Sequence, residues 1–213
     1  MELLAVVSIV LLMAAFLFPQ FAKIMETSNK AGCASNLHAL GGAIQEYTAD
    51  NGYYPPATGE DGTGNWLQLI GPNYLGQDWN ALFSKNTTAS WKRANVFNCP
   101  SEKANKTGFV YTYAENDDTR TDLAPNGHLR PQNLANPSLY VLVSDSYDKY
   151  YLLASTQSVL ASYGVNRRHN GHPNVLYADG HVASYTGPVM GYNDGDPQDF
   201  YLKMWRWNGQ VRN

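Results

Sequence analysis

Residues Leu3 to Phe18 form an unbroken apolar run, LLAVVSIVLLMAAFLF, closed by Pro19, and Glu2 is the only charge before Lys23. Sixteen apolar residues make a helix about 24 Å long, close to the ~30 Å hydrocarbon core of a bilayer. No domain can bury such a run on all sides by itself, so it must enter a membrane or pack among copies of itself. A carboxylate beside it is costly, on the order of 2.5–3.5 kcal/mol near mid-bilayer and less toward the interface. Its natural partner is a positive charge on another copy of the chain. A cleaved secretory signal would carry Lys or Arg where Glu2 stands. A simple membrane anchor is the remaining alternative.

The helical pattern continues past Pro19. Cys33, Leu37, Leu40, Ile44 and Tyr47 recur at spacings of 4, 3, 4 and 3, which places them on one face of an amphipathic helix. Asp50-Asn51-Gly52 ends the pattern and Tyr54-Pro55-Pro56 prevents it from resuming. A helix from Glu2 to about Ala49 would reach roughly 72 Å. Pro19, Gly32 and Gly41-Gly42 weaken it, and a kink or locally extended stretch is expected near Pro19. The chain thus divides into an apolar helix half, residues 1–25, and a head domain, residues 26–213, that includes the amphipathic half 26–50.

Beyond the helix, two short aromatic-anchored helices are expected, Trp66–Ile70 and Trp79–Phe83. Strands are expected at Val96–Asn98, Phe109–Tyr113, Leu139–Ser144, Val175–Tyr177 and His181–Tyr185. Asp179-Gly180 lies between the last two and is a hairpin signal, with Asp179 accepting φ > 0 as the first turn residue. The expected fold class is α+β: one antiparallel sheet of about five strands packed on the amphipathic helix half. Gly187 to Asn213, with Trp205 and Trp207, carries no assignable pattern.

The net charge of −3 and the lack of a basic stripe exclude a nucleic-acid partner. Two cysteines, Cys33 and Cys99, are too few for a four-Cys zinc site. In an exported domain they suggest a disulfide closing a loop of about 66 residues, worth about 4 kcal/mol in the chain-entropy description. Buried free thiols are the alternative. No G-x-S-x-G elbow, glycine-rich phosphate loop or H-E-x-x-H occurs, so no enzyme is expected. The sequons at Asn86 and Asn105 could accept glycans.

The order Glu2, apolar run, Pro19, with seventeen positions between Glu2 and Pro19, resembles the start of mature type IV pilins and pseudopilins. The family's leader, cleavage glycine, first three mature residues and methylated amine are not part of this sequence. His169, nine residues, then Asp179-Gly180 resembles the carboxyl-terminal H-x9-DG element of a large pilin-like group from planctomycetes and verrucomicrobia. Cys33–Leu37, Tyr53–Pro56, Phe97–Ser101 and Val141–Ser146 match the same group in order.

The resemblance implies a structural subunit of an extracellular helical filament, held first in the inner membrane and handled by a prepilin peptidase and the pilus assembly machinery. Glu2 and Pro19 would be its assembly residues, and adhesion is one possible filament role. A pseudopilin of a type II secretion system and a membrane-tethered surface-binding module are the alternatives.

In the H-x9-DG element, His169 would brace the turn or Asp145. A sharper reading groups His169, His172, His181 and Asp179 around a metal. Structural calcium is the other candidate, since related pseudopilins bind it in carboxyl-terminal loops. The acidic stretches Glu115–Asp118 with Asp122, and Asp194, Asp196 and Asp199 beside Gly195, offer oxygen ligands. The second is the stronger set, and a solvated acidic loop is the plain alternative for each.

Overall fold

The structure, a computed structural model, describes residues 2–58, 64–77, 96–101, 112–119, 124–146, 151–152 and 168–186. The expected helix at 79–83, the segment 109–111, both sequons and the tail from 187 lie outside the described residues. The side chains of Glu2 and Pro19 also lie outside them. The described elements make an α+β arrangement, with an N-terminal helix against a small, mainly antiparallel sheet.

Helix α1 runs Glu2–Asn51. The extended stretch expected near Pro19 does not occur, and the helical backbone continues through that position. A proline withdraws one amide donor from the ladder, and long flanking helical turns can carry that single loss. Every residue of the 33/37/40/44/47 stripe is buried, so the periodicity located the packed face correctly. The helix closes at Gly52, whose φ of 78° is a left-handed cap conformation and whose N–H donates to the Thr48 carbonyl at 2.8 Å. Gly41 and Gly42, both weak points by propensity, differ in role. A Cβ at Gly41 would lie 2.9 Å from Leu176 Cδ1, so this glycine lets α1 settle closely on the sheet, while Gly42 has nothing within 4 Å.

Helix α2, Trp66–Tyr74, extends a turn beyond expectation and passes through Pro72. Asn65 starts it with a capping box: its Oδ1 accepts from Gln68 N at 3.1 Å, and Gln68 Oε1 accepts from Asn65 N at 3.0 Å. Trp66, Leu67 and Ile70 are fully buried and join the α1 stripe in one core.

The sheet contains β1 (Tyr113–Asn116), β2 (Val141–Asp145), β3 (Tyr151–Leu152), β4 (Asn174–Tyr177) and β5 (Val182–Ser184), in the order β3-β1-β2-β4-β5. Two expectations are corrected. Residues 96–98 form a turn and not a strand; Phe97 is buried, and its carbonyl accepts from Thr112 N at 2.9 Å. Edge strand β3 pairs parallel to β1, because the chain reverses after β2 and so returns in the direction of β1. A register shift between Val141 and Val143 interrupts the β2–β4 pairing. Leu142 and Val143 both belong to the core beneath α1, whereas Val141, Val175, Tyr177 and Tyr185 form a second, smaller cluster.

The β4–β5 hairpin falls where Asp179-Gly180 placed it, but its geometry differs from the expected one. Asp179 does not take positive φ; Gly180 does, at 91°. Gly180 N donates to Tyr177 O and Tyr177 N to His181 O, each at 2.9 Å, which makes a three-residue loop ending in a left-handed glycine. Any Cβ on Gly180 would also run into the Gln45 side chain of α1. A short helix, α3 (Arg168–Gly171), precedes β4.

Candidate functional site

Two features of the described residues are chemically unusual: an apolar surface without cover and a buried polar cluster. The first lies on α1. Leu4, Val6, Val7, Ile9, Val10, Leu11, Leu12, Met13, Phe16, Phe18, Phe21, Ile24 and Met25 are all exposed, so this half of α1 shows apolar side chains to its surroundings along its whole length. Only Leu139 among the exposed large hydrophobic residues lies elsewhere. An apolar surface this continuous marks a contact with a membrane or another chain. Among the described residues no helix is long and apolar enough to cross a membrane, although Leu3, Ala5 and Leu17 of the run have side chains outside that description.

The second feature draws one side chain from each of four segments: Cys33 from α1, Cys99 from 96–101, Asp145 from the end of β2 and His169 from α3. One ligand atom of each lies within 4.8 Å of the others, and all four residues are buried. Cys33 Sγ donates to Asp145 Oδ1 at 3.2 Å, and Cys99 Sγ meets His169 Nε2 at 3.4 Å. His169 Nε2 stands 3.8 Å from Asp145 Oδ2. Both cysteines are free thiols, so the expected disulfide is not formed, although the fold does bring the pair together.

Further partners hold this cluster. Arg168 Nη1 is 3.3 Å from Asp145 Oδ1, and Asn174 N donates to Asp145 Oδ2 at 2.9 Å. Tyr113 donates its hydroxyl to Cys33 Sγ at 3.1 Å, and the Ser101 backbone N–H donates to Cys99. On the far side of the imidazole, His169 Nδ1 lies 3.2 Å from Glu26 Oε1 and 3.3 Å from Ser101 Oγ. His169 adopts φ of 58°, a left-handed conformation uncommon outside glycine and typical of functional positions.

The electrostatics follow from crowding acids out of water. Burial pushes Asp145 up to about 6, helped by the neighbouring Cys99 and opposed by Arg168 and Asn174 N–H. The Cys33 thiol is raised, first because it donates toward Cys99 and then by burial, while Cys99 is lowered by accepting that bond. Burial would lower His169, but Cys99, Asp145 and Glu26 outweigh it and the imidazole is raised. Cys33 has a single S–H proton, and both Cys99 and Asp145 Oδ1 are placed to accept it.

The other expected sites are separated. Asp179 Oδ1 accepts from His181 N at 3.1 Å and contacts His181 Nδ1 at 2.6 Å, an exposed pair that braces the hairpin. His172 is exposed, so His169, His172, His181 and Asp179 do not converge on one site. His169 instead faces Asp145, the brace named from sequence. Asp194, Asp196 and Asp199 lie outside the described residues. The acidic stretch near 115 is not a solvated loop: Glu115 and Asn116 belong to β1, and they and Asp118 are buried. Sequence reasoning missed Arg168, Glu26 and Asn174 as partners of this cluster, because each reads as an ordinary polar residue until the fold assembles it.

Glu115 carries a prediction of its own. It is fully buried, neither carboxyl oxygen has a hydrogen-bond partner among the described residues, and burial raises it well above the usual carboxylate range. The folded chain therefore binds a proton that the unfolded chain releases, and stability falls as pH rises above the ordinary carboxylate value. Glu115→Met, an unbranched apolar side chain, is expected to stabilise the head by about 1–3 kcal/mol near neutral pH and to flatten the pH slope. Urea denaturation across pH checks both; a variant less stable than wild type at about pH 8 contradicts the reading.

No protein-family model, curated protein or solved structure matches this chain.

Proposed function

We propose that this chain is a structural subunit of an extracellular helical filament, a type IV pilin-like protein. The observation that carries this reading is the exposed apolar half of α1, Leu4 to Met25, joined without a break to a half whose stripe is buried under the sheet. In this reading the first half protrudes from a pilin-like head and is held in the inner membrane before assembly. On extraction it packs against equivalent helices in the filament core, so lipid contact is exchanged for protein contact. Head-to-tail stacking of this kind does not close on itself and gives an open fibre. The same resemblance brings a prepilin peptidase and an inner-membrane assembly machinery as partners.

Glu2 supplies register. In a low-dielectric core its carboxylate meets the amine of a neighbouring chain, and each charge offsets the other's desolvation. Glu2→Gln keeps the size of the side chain and removes the charge. The variant is expected to remain folded and membrane-held while sheared filament yield drops below detection. Filaments in wild-type amounts from Glu2→Gln cells would contradict the pairing. Electron microscopy of the same cells separates long surface fibres from the short periplasmic piston of a secretion pseudopilin.

A further inference from the structure

We propose that Cys33, Cys99, Asp145 and His169 form a structural zinc site that ties α1 to the sheet. Two thiolates, an imidazole and a carboxylate are a donor set suited to zinc, and four protein ligands leave no open position for a reacting water. The spacing fits: ligands about 2.0–2.3 Å from a tetrahedral centre stand about 3.3–3.8 Å apart. The three measured separations in the cluster are 3.2, 3.4 and 3.8 Å.

The surroundings are those of a metal site and serve no purpose for a disulfide. His169 turns Nε2 to the cluster while Nδ1 meets the Glu26 carboxylate, the arrangement that fixes the tautomer of a zinc-bound histidine and raises its basicity. Tyr113 and the Ser101 N–H donate to the two sulfurs, as thiolates require. Arg168 and Asn174 N hold the two oxygens of Asp145. Two thiolates and one carboxylate carry three negative charges, which a zinc dication together with Arg168 balances. A Cys33–Cys99 bridge would consume both sulfurs, leave the buried imidazole and carboxylate facing an uncharged bond, and give the left-handed backbone at His169 nothing to serve. On binding, each thiol releases its proton to solvent and the metal takes the place of the shared S–H.

The site also explains the order of the motifs. Cys33 lies on the helix, Cys99 on a turn, Asp145 at a strand end and His169 before the hairpin, and one ion joins all four. The metal content of the intact purified chain tests this. Equimolar zinc is expected, with both thiols unreactive until the metal is removed and two free thiols by mass afterwards. Cobalt exchanged into the site should show the visible absorption of tetrahedral thiolate coordination. Cys33→Ser should abolish binding; since that variant could fail to fold, Glu26→Gln gives an independent arm. Glu26 is 33 % exposed, and its loss should leave the circular dichroism unchanged while weakening zinc affinity about 10–100-fold. A zinc-free chain bridged by a Cys33–Cys99 disulfide would overturn the proposal. So would bound zinc whose affinity is the same in wild type, Cys33→Ser and Glu26→Gln.

Discussion

Leu11→Arg is expected to abolish filament growth while leaving the head domain as stable as wild type. Leu11 is 64 % exposed and lies midway along the uncovered apolar half of α1, so the change removes no contact within the chain. The cost falls on whatever covers that surface. A guanidinium at the centre of an apolar helix opposes burial in lipid by about 2.5–3.5 kcal/mol. A filament core imposes a penalty of the same kind at every subunit, and elongation depends on each addition being favourable. Sedimentation of sheared fibres reads the yield and thermal unfolding of the solubilised chain reads the head. Normal yield would mean that Leu11 is not buried during assembly.

A pair of leucine truncations on the same helix should differ by several kcal/mol. Leu37 is fully buried in the core, and Leu37→Ala removes both its transfer free energy and its packing, a loss of about 2–5 kcal/mol. Leu12 is 61 % exposed, and Leu12→Ala should change head stability by no more than about 0.5 kcal/mol. A loss of about 2 kcal/mol is a large share of the about 5–15 kcal/mol available to a domain, so Leu37→Ala should leave the head marginal. Chemical denaturation in a mild detergent measures both. Equal losses would show that the apolar half of α1 also packs on the head.

The helix and the hairpin were legible in the sequence because local physics sets both. A 3.6-residue period puts Cys33, Leu37, Leu40, Ile44 and Tyr47 on one face whatever lies beneath, and a glycine two residues before a strand marks a left-handed turn position. The misreadings arose where tertiary contacts override local pattern. Val96–Asn98 has strand-like residues, but Phe97 is buried from a turn. Glu115 and Asn116 look solvated, yet they occupy a strand buried along its length. The cluster was the least legible part. Its four residues are scattered between positions 33 and 169, and each had a satisfactory reading alone: two cysteines as a bridge, His169 as a hairpin brace, Asp145 as a strand end. Only their convergence distinguishes a ligand set from those parts.

The central claim is that the apolar half of α1 joins copies of this chain to one another. Electron microscopy of the purified intact chain, taken through detergent removal, tests it most directly. The account predicts long fibres of uniform width that carry the head domains on the outside. Single chains embedded in lipid or micelles, with no fibres under any condition that supports such assembly, would contradict it.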